Sequence, residues 1–213
     1  MTEHVKPQDI EARSFEIIKA ELDAMGISLD PEKDPVIRRA IHTSADFDYA
    51  ETLCFSPDAV RIARDLIRSG ADIVTDTNMA LTGINKKKLA SYGGSARCYM
   101  ADEDVAAEAR ERSITRASVS MEHAARDAKA SGRRTVFAIG NAPTALMTLR
   151  EMHDNGVYTP DFVIGVPVGF VNVVEAKELI LETDIPCIVN RGRKGGSNVA
   201  AAIANAILYS MDR

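Results

Sequence analysis

The chain has 213 residues, with 26 Lys plus Arg against 31 Asp plus Glu, a formal net charge of −5, 46% hydrophobic residues and 27% charged residues. That length can bury a sizeable core without disulfides or metals, and the balance excludes general disorder. The acid excess argues against a dedicated nucleic-acid binder, and the lack of an apolar run of about 18 residues argues against a membrane span, so neither partner is expected.

No repeat or composition shift divides the chain, and residues 1–213 read as one domain. The opening stretch MTEHVKP, which carries His4, lacks the apolar segment of a secretory signal. A helix is expected near residues 7–25, with Ile10, Ile17, Ile18 and Met25 on one face, Ser14 in its middle and Glu21 close by. A second helix is expected over 35–42, then a weak strand at 53–55. Ser56 as N-cap and Pro57 as first helical residue open the next helix, with Val60, Ala63, Leu66 and Ile67 inward and Gly70 as stop. From there short Val- and Ile-rich runs at 72–75, 96–100, 135–139, 162–166 and 186–189 read as buried parallel strands. Helices fill the gaps. One opens at Asn141-Ala-Pro-Thr with Leu146 and Leu149 inward, another spans 172–183, and the last spans 197–211 with Val199, Ile203, Ala206 and Ile207 on one side. His123 and His153 fall in helical stretches that look exposed. The pattern predicts an α/β fold: a mostly parallel sheet of about five to six strands, helices on both faces, and a helical N-terminal segment. Cys54, Cys98 and Cys187 are far apart and odd in number, which disfavours a disulfide framework or zinc site and fits a reducing cytoplasm.

In such a sheet, ligands bind beyond the carboxyl ends of the strands, which selects residues 76–79, 140–141, 167–170 and 190–197. The last segment joins Arg191, Arg193 and Lys194 to Gly192, Gly195 and Gly196, and opens a helix at Ser197. It reads either as a cradle for carboxylate or phosphate or as a flexible turn with solvated cations. Neither G-x-G-x-x-G nor G-x-x-x-x-G-K-[ST] occurs, so a nucleotide enzyme is disfavoured. Arg39 and His42 are three apart on one helix and share a face; a cation beside an imidazole suits an anionic substrate that must gain and lose a proton, although a histidine ending a helix is also a common structural feature. Ser14 either back-bonds to the carbonyl four residues earlier or offers its hydroxyl to a pocket. Arg116 either forks onto a carboxylate or pairs with Glu111 or Asp127.

Seven blocks, in order and spanning residues 10 to about 210, resemble the precorrin-8 methylmutases of cobalamin biosynthesis: Ile10-Glu-Ala-Arg-Ser-Phe-Glu-Ile-Ile, Arg39-Ala-Ile-His-Thr-Ser-Ala-Asp-Phe-Asp, Thr75-Asp-Thr-Asn-Met-Ala-Leu-Thr-Gly-Ile, Ile114-Thr-Arg, Gly140-Asn-Ala-Pro-Thr-Ala-Leu, Gly165-Val-Pro-Val-Gly-Phe and Gly192-Arg-Lys-Gly-Gly-Ser-Asn. The resemblance implies an isomerase that moves a methyl group from C-11 to C-12 of a corrin-type ring, formally a [1,5]-sigmatropic shift that needs no cofactor. It puts the catalytic histidine on His42 and substrate binding on Ser14 and Arg39; Arg116, Arg191, Arg193 and Lys194 are candidates for the substrate's carboxylates by their charge, and Thr82, Gly83, Gly195, Gly196 and Ser197, within the resembling blocks, are expected as further substrate contacts. It also implies a homodimer that can hand its product to the next enzyme. The residues fit this reading: a tetrapyrrole rich in carboxylates needs local positive charge on a net-negative protein, and histidine can both give and take a proton near neutral pH. Ala117 stands where the family usually has serine, and Gly-Phe-Val-Asn172 and Glu175-Ala-Lys177 also depart from its pattern. The second and third blocks resemble the branch whose substrate carries cobalt; any cobalt would arrive inside the substrate. Two other readings stand beside this one: a non-catalytic corrinoid carrier, and an α/β isomerase of a phosphorylated metabolite working through residues 192–197.

Overall fold

A computed structural model describes residues 6–212, so His4 lies outside the described residues. A single 3-10 turn at Pro7–Asp9 leads into α1 (Ile10–Ala24), α2 (Asp34–Ser44) and the one-turn α3 (Tyr49–Thr52). Then come β1 (Leu53–Phe55), α4 (Ala59–Arg68), β2 (Asp72–Thr75), the short α5 (Asn78–Gly83) and α6 (Lys86–Ala90), and β3 (Ala96–Arg97). The remainder alternates: α7 (Glu103–Glu111), α8 (Arg116–Ser131), β4 (Thr135–Ile139), α9 (Pro143–Asp154), β5 (Phe162–Gly165), α10 (Val173–Leu181), β6 (Cys187–Asn190) and α11 (Ser197–Tyr209), with a 3-10 turn at Ser210–Asp212.

The six strands lie in the order β1-β6-β5-β4-β2-β3, all parallel except β1, which runs antiparallel to β6 at the edge. Strands β4, β5 and β6 are buried along their whole length, which is why they read as unbroken apolar runs. Side chains alternate between two cores. Ile73, Val136, Ala138, Phe162, Ile164 and Ile188 meet α1, α2, α4 and α11; Val74, Phe137, Ile139, Val163, Cys187 and Val189 meet α7, α8, α9 and α10. The chain leaves β2 toward β3 and leaves β4 toward β5, so the order reverses between β2 and β4, and their carboxyl ends flank the switch-point crevice.

The architecture agrees with the sequence expectation, and several local readings are corrected. The strand expected at 96–100 stops at Arg97: this edge strand pairs with β2 alone, and Tyr99 turns its hydroxyl to Asp127 on α8 at 2.9 Å. Ser56 does not cap α4. Its hydroxyl accepts the Cys187 N–H at 2.8 Å, and the helix starts at Ala59 behind Asp58, which takes a left-handed φ of 56°. The buried face of α1 is Ile18 and Leu22 with Phe15 packed beside them, whereas Ile10, Ile17 and Met25 point to solvent. His123 is buried, bonded to Glu108 at 2.8 Å, and His153 is partly covered, with Asp184 at 3.1 Å. Among the described residues no helix is long and apolar enough to cross a membrane, the three cysteines are free thiols, and no group of three or more His, Cys, Asp or Glu is placed to hold a metal ion.

Candidate active site

Helix α2 ends at Ala45, whose left-handed φ of 54° stops it and lets its N–H close on the Ile41 carbonyl. That stop leaves His42 exposed in the last turn, at the mouth of a cavity of about 780 Å³. Arg39, Thr43, Thr82, Gly83, Asn198 and Tyr209 also line it. The cavity is thus bounded by α2, by α5, which follows β2, and by one side of α11, which follows β6, from Asn198 to Tyr209.

One aromatic ring organises the pair expected from the sequence. Phe15 stacks on the His42 imidazole, with centroids 5.1 Å apart and planes at 28°. The Arg39 guanidinium lies 4.8 Å from the same ring and 5.4 Å from that of Tyr209, and is ion-paired with Glu11. Arg39 therefore stands as a wall between the His42 cavity and a neighbouring one of about 330 Å³ that Phe15, Arg38 and Tyr209 line. The Thr82 hydroxyl donates to the Asn78 carbonyl at 2.8 Å, one turn back along α5. Gly83 permits α5 to pack on α11: a Cβ there would lie 2.8 Å from that of Ala201. A larger cavity, about 880 Å³, lies between α8 and α9 on the other side of the sheet and holds none of the expected residues.

At the switch point, Asp76 is fully buried and its carboxylate accepts three backbone N–H groups: Gly140 at 2.9 Å, Asn141 at 2.7 Å and Ala142 at 2.6 Å. Burial pushes its pKa up, against the pull of those amides. Beside it the hydroxyls of Thr77 and Ser197 meet at 2.8 Å, so the loops after β2, β4 and β6 are tied together. Gly140 sits where they converge; a Cβ there would fall 2.6 Å from the Ser197 Cα.

The loop after β6 is held from below and from one side. Lys177, fully buried on α10, donates to the carbonyls of Gly192 at 2.8 Å and Lys194 at 2.7 Å, and burial lowers its pKa to about 8. Buried Asn190 donates to the Lys194 carbonyl at 3.0 Å and accepts from Thr52 at 2.8 Å. Lys194 reaches Asp46 and Asp48, both at 2.6 Å, which raise its pKa and moor the loop to the segment after His42. Arg191 pairs with Glu178 at 3.2 Å, while Arg193 is exposed, with Phe170 5.6 Å from its guanidinium. Gly195 presses on Val166, where a Cβ would lie 2.0 Å from the carbonyl oxygen, and Gly196 precedes Ser197 at the start of α11.

The structure thus gathers Arg39, His42, Thr82 and Gly83 around one cavity, with Arg193, Gly195, Gly196 and Ser197 in the loop leading to its wall at Asn198. Ser14 lies outside that lining and donates to the Ile10 carbonyl at 2.9 Å. Arg116 opens α8, exposed and without an ion pair among the described residues; Glu111 and Asp127 are not its partners, and Asp127 pairs with Arg97. Ala117 is buried, so that position packs into the core. Asp76 falls in the expected segment 76–79 but its carboxylate holds the loop after β4, and Phe15, Tyr209 and Lys177 are not among the expected site residues. Lys177, a lone cation in the apolar frame of α10, left a usable signal.

A doubly wound sheet with a histidine and an arginine lining one cavity between α2, α5 and α11 is the architecture of an α/β enzyme. The sequence profile of the precorrin-8X methylmutase family matches residues 9–210, and the chain belongs to that family. It is 43% identical over 208 residues to a cobalt-precorrin-8 methylmutase of Priestia megaterium, covering 98% of this chain and 90% of the relative. It is 44% identical over 209 residues to a cobalt-precorrin-8 methylmutase of Salmonella typhimurium, covering 97% and 96%. The solved precorrin-8x methyl mutase of Thermus thermophilus superposes with a TM-score of 0.83 at 37% identity, covering 95% of each chain.

Proposed function

We propose that this chain isomerises cobalt-precorrin-8, moving the methyl group from C-11 to C-12 of the macrocycle, with His42 as proton donor and acceptor. The observation that carries the reading is the placement of His42, at a helix end and opening onto a cavity shared with Arg39, Thr82 and Gly83. Protonation of the ring by the imidazolium makes the neighbouring carbon electron-poor. The methyl group then migrates, the C-11 bond breaking as the C-12 bond forms, and the imidazole takes the proton back. No atom or electron is gained or lost, so the reaction calls for no cofactor, and cobalt is part of the substrate. The cobalt form is favoured because the relatives at 43% and 44% identity are named for it.

Arg39, Thr82 and Gly83 hold the ring beside His42. Arg116, Arg193 and the backbone of Gly195, Gly196 and Ser197 take peripheral carboxylates. Ser14 and Lys194 join the substrate by exchanging their present bonds to the Ile10 carbonyl and to Asp46 and Asp48. A flat macrocycle needs cover on both faces, and a second copy of the chain supplies it. The enzyme works in the cytoplasm, and its product passes to the next enzyme.

Incubation with cobalt-precorrin-8, and separately with the metal-free form, tests the reading, because the shift changes the conjugation seen in the visible spectrum. Conversion by the wild type is expected, and no conversion of either form overturns the function. His42→Ala is expected to bind the corrinoid and to turn over about 10²–10⁴-fold more slowly, the usual contribution of acid–base catalysis. Near-normal turnover would remove His42 from the mechanism, and binding without conversion by the wild type would mark a carrier.

A further inference from the structure

A lysine with no exposed surface is costly, because its ammonium has left water. Lys177 has no acidic partner among the described residues; burial alone accounts for its lowered pKa. Its contacts are two backbone carbonyls, Gly192 and Lys194, in the loop that carries Arg193.

Those contacts have a geometric consequence. A trans peptide unit directs its C=O and its N–H to opposite sides. With the Gly192 carbonyl turned down onto Lys177, the N–H of Arg193 faces away from it; with the Lys194 carbonyl turned down, so does the N–H of Gly195. Neither amide has a protein acceptor among the described residues. The intervening Arg193 carbonyl accepts the Gly169 N–H at 3.2 Å. The side chain of Arg193 is exposed, and the loop runs on into Asn198 in the wall of the His42 cavity.

We propose that Lys177 is a positioning residue for substrate binding: by holding the carbonyls of Gly192 and Lys194 inward, it turns the amides of Arg193 and Gly195, with the Arg193 guanidinium, toward one peripheral carboxylate of the corrinoid. The buried ammonium adds positive potential behind that seat, and the arriving carboxylate supplies the counter-charge that the core lacks. The assignment rests on the function proposed above, since that function supplies the carboxylate. It divides labour within the enzyme: the loop binds, and His42 moves the proton.

Lys177→Met keeps an unbranched stem and removes the ammonium. In the folded variant, KM and the Kd for hydrogenobyrinate, the metal-free product, are expected to rise about tenfold, the scale of one charge-assisted hydrogen bond, with kcat nearly unchanged. Unchanged KM and Kd, or a fall in kcat alone, would overturn the assignment, because a merely structural lysine lowers thermal stability without separating KM from kcat. Should this variant fail to fold, amide resonances of the wild type decide the matter. Those of Arg193 and Gly195 are expected to shift on titration with hydrogenobyrinate; if neither moves, the seat is elsewhere. A wild type that neither binds nor converts the corrinoid refutes the function itself. A wild type that does both, alongside an indistinguishable Lys177→Met, refutes only the role of Lys177.

Discussion

The imidazole of His42 and the guanidinium of Arg39 lean on one side chain, with the Phe15 ring 5.1 Å from the first and 4.8 Å from the second. A stacked pair contributes about 0.5–1.5 kcal/mol beyond area burial, and a cation over a ring about 0.5–1 kcal/mol at a partly exposed site. The larger effect is on orientation, because both groups lose the plane that fixes them. Phe15→Leu keeps most of the apolar contact with Ile18 and Leu22 and discards the ring face. Thermal denaturation is expected to show a loss of about 1 kcal/mol. Turnover is expected to fall severalfold, as it does when a reacting group is misplaced by a fraction of an ångström. Wild-type turnover in this variant would reduce Phe15 to ordinary packing.

At the scale of elements, Asp76 ties the loop after β2 to the loop after β4, its carboxylate accepting three consecutive amides of the latter. Asp76→Asn puts an NH₂ against backbone N–H groups at one of the two oxygen positions and removes the charge. A loss of about 2–4 kcal/mol is expected in denaturant unfolding, from one or two charge-assisted hydrogen bonds and the donors left unpaired. A variant as stable as the wild type would mean that these two loops are held by other contacts. The parallel strands could be read from the sequence because both of their faces are buried, leaving continuous apolar runs between turn residues. The cavity-lining face of α2 could be read because Arg39 and His42 are three apart. The orientation of α1 could not: Ile10, Ile17 and Met25 fit a helical period as well as Phe15, Ile18 and Leu22 do, and only the presence of α2 selects the second set. Nor could the bonds of Asp76, whose partners lie 64 to 66 residues away. His123 looked exposed because its burial depends on Glu108, from a different helix.

For the molecule as a whole, large apolar side chains stand out after β5 and after β2: Phe170 is 84% exposed, Val171 75%, and Met79, which lines the His42 cavity, 71%. An apolar group at the rim of a ligand site is either a docking surface or a cover for the ligand, and a paired chain serves as both. Sedimentation equilibrium at micromolar concentration is expected to show twice the 23.1 kDa of one chain. A single-chain mass across that range, with the corrinoid bound, would mean that each chain encloses its substrate unaided.

Asp76 also bears on which molecules the protein ignores. In many sheets of this winding, amides at the switch point are where phosphate groups settle. Here the amides of Gly140, Asn141 and Ala142 are already taken by a carboxylate of the same chain, which a dissolved anion would have to displace. A dissolved phosphate ester therefore meets three amides that already have an acceptor, and any anion this chain binds must be held by other groups.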